Sequence, residues 1–132
     1  MAQQEGWVEA YELLDDGCEL PPELLAIIKS NRNPLKESFL HWYALEGEVR
    51  VFKKIIELGL DLNTQNKFGN TPLMECALID RWDMVELLLA HGADPEIKNN
   101  DNENAIESLR NNYSKVKSLK LSSMINLLKN SD

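Results

Sequence analysis

The chain has 132 residues, enough for one domain that buries a useful core. Hydrophobic residues make up 43% and charged residues 27%, the balance of an ordinary globular protein, and no run approaches the roughly 20 apolar residues of a membrane span. The net charge of −8 would repel phosphates from most of the surface, so neither nucleic acid nor membrane is expected as a partner.

The first ten residues, MAQQEGWVEA, carry no basic start followed by an apolar stretch, so they do not read as a signal peptide. Cys18 and Cys76 are the only cysteines and lie far apart, a pattern of reduced thiols that points to a cytoplasmic protein. Charge is unevenly placed: Glu5, Glu9, Glu12, Asp15, Asp16, Glu19 and Glu23 all precede the first basic residue, Lys29. Near the other end Lys115, Lys117, Lys120 and Lys129 meet no acid until Asp132. Either these are two solvated faces, or the acidic end steers a basic partner by long-range attraction.

In chain order, residues 7–14 read as a helix with Trp7, Tyr11 and Leu14 on one side. Pro21-Pro22 opens a second helix over about 22–30 that carries Leu24, Leu25, Ile27 and Ile28. Self-similarity then takes over. Ser38-Phe39-Leu40-His41-Trp42-Tyr43-Ala44 aligns without a gap on Thr71-Pro72-Leu73-Met74-Glu75-Cys76-Ala77, at an offset of about 33 residues. The same offset places Ile55, Ile56 and Gly59 on Leu88, Leu89 and Gly92. Thr71 suits a helix cap and Pro72 the first helical position. Leu73, Cys76 and Ala77 form a stripe with small residues where a second helix must approach. That second helix offers Met84, Val85, Leu87, Leu88 and Leu89 and ends at Gly92, as its counterpart ends at Gly59.

The stretch from Gly69-Asn70-Thr71-Pro72-Leu73 to Leu87-Leu88-Leu89-Ala90-His91-Gly92-Ala93-Asp94 resembles the ankyrin-repeat motif. The preceding unit resembles it with Ser38-Phe39 in place of Thr-Pro and His41 as the motif histidine. A degenerate unit follows: Asn102 stands where Gly69 was, Asn104-Ala105-Ile106 where Thr71-Pro72-Leu73 was, and Leu109 where Cys76 was. Its second helix is displaced past Tyr113-Ser114-Lys115-Val116-Lys117 to about 119–128, with Leu121, Met124, Ile125, Leu127 and Leu128 on one side and Ser122, Ser123, Asn126 and Lys129 on the other. The resemblance implies an all-α solenoid of about four stacked helix pairs, forming a single domain over 1–132. Its expected divisions are an N-terminal capping pair (1–32), two repeats (33–65 and 66–98) and a degenerate C-terminal capping repeat (99–132).

Little in the chain reads as chemistry. His41 is expected to hydrogen-bond locally at its helix start, and His91 to favour a helix C-terminus. A Cys76–His41 nucleophile pair is conceivable across neighbouring repeats, but no orienting group or oxyanion loop accompanies it. The two cysteines and two histidines are too scattered for a structural zinc site. No phosphate-binding or metalloprotease motif is present, so no enzyme activity, cofactor or metal is expected.

The resemblance implies instead that loop tips and first helices line a protein-binding face. By register the tips are Pro34, Leu35 and Glu37, then Lys67, Phe68 and Asn70, then Asn100, Asp101 and Glu103. The helix positions are Trp42, Leu45 and Glu46, then Glu75, Leu78 and Ile79, then Ser108, Asn111 and Asn112. Phe68 is an aromatic at a turn tip; the alternative is that it folds back on its neighbour. Leu78 and Ile79 are a candidate apolar hot spot, unless they pack on Leu45 or the third repeat, and the same alternatives hold for Trp42. Trp82, between the two helices of its unit, reads as core. Glu37, Glu46, Glu75 and Glu103 would form an acidic rim. The partner is then another protein, bound by a chain that is monomeric when free. Small ankyrin proteins are among the immunity proteins that bacteria keep beside toxins; such a protein would block a toxin by covering its active site, and this acidic surface would suit a basic toxin domain, with a general adaptor as the alternative.

Overall fold

The computed structural model describes residues 6–112 and 118–129. Glu5, Asp132 and the segment Tyr113 to Lys117 fall outside them, as do the side chains of Lys120, Leu121, Ser123 and Met124. Among the described residues eight helices follow one another: α1 (Trp7–Asp15), α2 (Pro22–Ser30), α3 (Phe39–Glu46), α4 (Val49–Ile56), α5 (Pro72–Leu78), α6 (Trp82–Ala90), α7 (Ala105–Asn112) and α8 (Ser118–Lys129). No strand occurs among the described residues.

Local chemistry starts these helices where the sequence suggests. The Ser38 hydroxyl accepts the His41 amide, and the His41 ring returns a bond to the Ser38 amide, a reciprocal cap. Thr71 accepts the Met74 amide in the same way, with Pro72 in the first turn. After α4 and α6 the chain turns through Gly59 (φ 80°) and Gly92 (φ 96°), where left-handed backbone ends a helix.

Packing follows the period. α3 lies on α5 and α5 on α7, while α4 lies on α6 and α6 on α8, so the first helices form one row and the second helices another. α4 shows why: Val51, Phe52, Ile55 and Ile56 are buried, whereas Arg50 and Lys53 stay exposed. One continuous core runs from Trp7 to Leu128, so each unit buries the face its neighbour leaves open.

The N-terminal pair caps this stack through aromatic contacts. Trp7 meets Phe39 edge-on with ring centroids 6.1 Å apart, and Tyr11 stacks on Tyr43 at 4.3 Å. Such pairs add about 0.5–1.5 kcal/mol each beyond burial. Tyr11 also accepts the Glu48 amide through its hydroxyl (2.9 Å), Lys54 donates to the Leu14 carbonyl (2.9 Å), and Arg50 pairs with Asp15. At the other end Leu128 is buried and Leu127 half-buried on α8, with Ser122, Asn126 and Lys129 exposed.

Candidate protein-binding surface

The tips are built on an asparagine the repeat reading did not single out. Asn33, Asn66 and Asn99 stand at the same register position, and each folds its side chain into its own loop. The Asn66 Oδ1 accepts the amides of Phe68 and Asn70, both at 3.0 Å. Asn33 does the same for Leu35 and Glu37, and Asn99 for Asp101 and Glu103. Each asparagine amide then bonds the carbonyl four residues on, at Glu37, Asn70 and Glu103. The fourth residue of every loop is left-handed: Lys36 (φ 58°), Gly69 (φ 78°) and Asn102 (φ 62°). At Gly69 a side chain is also excluded by space, since a Cβ would stand 2.6 Å from the Asn100 amide nitrogen.

Adjacent tips are then tied together. Lys67 donates its amide to the Leu35 carbonyl (2.8 Å), and Asn100 donates its amide to the Phe68 carbonyl (3.0 Å). Gln65 Nε2 bonds the carbonyls of Gly69 and Lys98 (2.8 and 3.0 Å), and Asn100 Nδ2 that of Lys67 (2.9 Å). Phe68 is therefore fixed at both its amide and its carbonyl, while its side chain stays 54% exposed. It does not fold back on its neighbour. A rigid backbone presenting an open aromatic loses little entropy on binding.

The helix positions form three rows across α3, α5 and α7. Trp42, Glu75 and Ser108 share the first, Leu45, Leu78 and Asn111 the second, and Glu46, Ile79 and Asn112 the third. Ile79 is 52% exposed and Glu46 is exposed. Leu78 and Trp42 are half-buried against the core, and the Trp42 indole N–H is sealed in without a partner. Phe68 and Ile79 do not merge into one patch. They lie beyond opposite ends of α5, whose seven residues span about 10 Å, with Glu75 between them.

Several expected surface residues serve the framework instead. Glu37 is 7% exposed and accepts from Asn33 Nδ2 (2.7 Å), so it leaves the acidic rim. Ser108 is 3% exposed, so it leaves the open face. Asn70 accepts from His41 Nε2 (2.8 Å) at its carbonyl and from Asn99 Nδ2 (3.0 Å) at its side chain, and donates to Glu75 (2.6 Å). Glu103 is half-buried and bonded to Asn111. Asp101 and Lys67 remain exposed at the tips, and Glu46 is the exposed acid among the expected helix positions. Of the N-terminal acids, Glu9, Glu12, Asp16, Glu19 and Glu23 are exposed, while Asp15 is engaged by Arg50.

The histidine and cysteine interiors are structural. His41 is fully buried, and desolvation pushes its pKa down to about 4. It is therefore neutral, with Nε2 donating to Asn70 and Nδ1 accepting from Ser38. Cys76 is fully buried, donates to the Ala44 carbonyl (3.4 Å), and has its pKa pushed up to about 12 by burial, which keeps it a thiol. The two groups are bonded elsewhere and do not form a nucleophile–base pair. His91 bonds the Leu87 carbonyl at the end of α6 (2.9 Å). Among the described residues, no cluster of three histidine, cysteine or acidic side chains could hold a metal ion, and no helix is long and apolar enough to cross a membrane.

The family model for ankyrin repeats (3 copies) matches residues 10–127. The chain belongs to the ankyrin-repeat family. Relatives include the serine/threonine-protein kinase VIK of Arabidopsis thaliana, 39% identical over 57 residues, which are 43% of this chain and 13% of the kinase. Inversin of Danio rerio is 38% identical over 60 residues, 46% of this chain and 6% of inversin. Cyclin-dependent kinase 4 inhibitor B of Bos taurus is 38% identical over 52 residues, 39% of either chain. The chain thus spans well under half the length of these relatives. Ankyrin repeats are a protein-interaction module, and on this stack Phe68, at a loop tip, and Ile79, at the end of α5, are exposed apolar side chains.

Proposed function

We propose that this ankyrin chain is a small cytoplasmic inhibitor, monomeric when free, that binds a basic protein and covers that protein's functional surface. An immunity protein neutralising a cognate toxin by covering its active site is the form that best matches its charge. The observation that carries the reading is Phe68, locked at its backbone yet 54% exposed at its ring, in a chain of net charge −8. Phe68 and Ile79 act as the two apolar anchors, each losing about 2 kcal/mol or more of binding on truncation. Glu46 and Asp101, with Glu75 between the anchors, speed encounter with a cationic partner. A relative that is itself named an inhibitor supports the idea that a stack of this kind can act by obstruction.

A general adaptor would use the same face, and the relatives in which such a stack is a small part of a long protein favour it. The two readings separate in one experiment. The wild type and Phe68→Ala/Ile79→Ala are used to capture partners from native lysate, and the activity of the captured protein is then titrated with the chain. Stoichiometric loss of activity with wild type alone supports the inhibitor. Capture without inhibition supports the adaptor, and equal capture by both moves the contact off this face.

A further inference from the structure

Away from the anchors, the end of α2, the start of α3 and the loop after α4 frame a half-open cavity of about 190 Å³. It shares no residue with the Phe68–Ile79 surface, and its chemistry differs from the acidic surroundings. Lys29 and Arg32 line it, and among the described residues neither has an ion-pair partner. Arg32 makes a single bond to the Lys36 carbonyl (3.2 Å). Asp61 also lines the cavity and accepts the Asn63 amide (2.9 Å), so two cationic groups face one carboxylate.

Two hydroxyls complete the lining. That of Ser38 is engaged by His41. That of Thr64 is not: the residue is 6% exposed, and its Oγ1 has no hydrogen-bond partner. Buried polar atoms in native proteins nearly always have a partner, and one left without destabilises the fold. The repeat does not require a hydroxyl here, because one period later the same register position is Ile97. Thr64 thus carries an unpartnered buried hydroxyl at the wall of the cavity that Lys29 and Arg32 also line.

We propose that this cavity binds a small oxyanion, a carboxylate or phosphate group, between Lys29 and Arg32 with the Thr64 hydroxyl as third donor. Both side chains reach the anion as charged donors, the stronger class of hydrogen bond. The Thr64 hydroxyl hydrogen turns about the Cβ–Oγ1 bond and is committed to no acceptor in the fold, so it is available to the ligand. The group can arrive as a free ion or on the acidic side chain of a protein.

The test is an amide-resolved NMR titration of the whole chain with inorganic phosphate at pH 7, sodium chloride being exchanged to hold ionic strength constant. A second arm uses N-acetyl-aspartate amide, so that a free phosphate and a protein-type carboxylate are read separately. Saturable shifts centred on Asp61, Thr64 and Arg32 are expected in at least one arm, at millimolar concentration. Arg32→Gln weakens that binding at least tenfold. Thr64→Val also weakens it, yet raises the melting temperature in anion-free buffer by about 4 °C, because the unpartnered hydroxyl is gone. Shifts that stay linear, or that persist unchanged in both variants, would overturn the proposal. So would a Thr64→Val protein less stable than wild type, since the hydroxyl would then already be satisfied within the fold.

Discussion

The loops between units and the turns within units solve the same problem, reversing the chain, in opposite ways. Between units, Asn33, Asn66 and Asn99 make the same set of bonds in three successive loops. Within units, the turns differ. Gly47 after α3 is extended (φ −88°), and Asp80 after α5 is left-handed (φ 64°). Gly47 has no room for a Cβ, which would stand 2.8 Å from the Tyr43 carbonyl and 3.1 Å from the Tyr11 ring. The end of α3 has carbonyls bonded from the next unit, where Arg81 Nη1 reaches those of Ala44 and Leu45 (3.2 and 2.9 Å). The end of α5 closes on itself, Arg81 donating its amide to the Cys76 carbonyl (2.9 Å). Where backbones of adjacent units must meet, the loops repeat the same residue. Where a turn meets only a side chain of its neighbour, each turn answers to that neighbour.

The largest effect should therefore follow from breaking a tip. Asn66→Ala removes the acceptor of two amides in a loop that is itself bonded to both neighbouring tips, and should lower stability by about 4 kcal/mol. Asn66→Asp keeps an acceptor and should recover at least half of that. Urea unfolding gives both values, and an unchanged slope would show that the folded state is intact. A loss below about 1 kcal/mol would mean that the repetition is decorative.

Next comes His41, which joins one unit to the tip of the following one through Asn70. Its pKa falls from 6.5 to about 4 on folding, chiefly by burial. Between those values the unfolded chain binds a proton that the folded chain refuses. Stability is thus fully present above pH 6.5 and declines as pH falls toward 4, by about 3 kcal/mol. Carboxylates add their own titration near the lower end, so the readable window is pH 7 to 5. His41→Gln should flatten the unfolding curve in that window relative to wild type.

Arg81 tests the other side of the comparison. Its two bonds to α3 carbonyls come from a half-buried side chain with no counterpart in the unit before, where Glu48 occupies the register position. Arg81→Met keeps the aliphatic packing and removes those bonds, and should cost about 1–2 kcal/mol in thermal or urea unfolding. A change as large as that of Asn66→Ala would erase the distinction between the repeated loops and the variable turns.

Much of this was legible in the sequence. The gapless offset from Leu40 to Leu73 and from Gly59 to Gly92 gave the helix rows, and Thr71-Pro72 marked the start of α5. The tip asparagines carried an equally plain signal, one residue type at three positions one period apart, but they belong to no apolar stripe. The burial of Glu37, the bonds of Asn70 and the reach of Arg81 were not legible. Each depends on which backbone the adjacent unit brings near, and a linear pattern does not specify that. Exposure at Phe68 and Ile79 is one of two alternatives the sequence leaves open, and their separation along α5 depends on the helix between them.

The smallest stability effect should come from the residues placed in the binding face. Phe68 is more than half exposed, and its loop is held by backbone and asparagine bonds that its ring does not make. Phe68→Ala should therefore change unfolding by no more than about 0.5 kcal/mol, as should Ile79→Ala. Lying beyond opposite ends of α5, a helix about 10 Å long, the two should also act independently, so that the double variant shows the sum of the single effects within about 0.5 kcal/mol. A loss of stability well beyond that sum would mean that the two side chains are coupled through α5 and belong to the core. Their exposure would then be a consequence of packing, and the aromatic tip could no longer be read as a surface kept open for a partner.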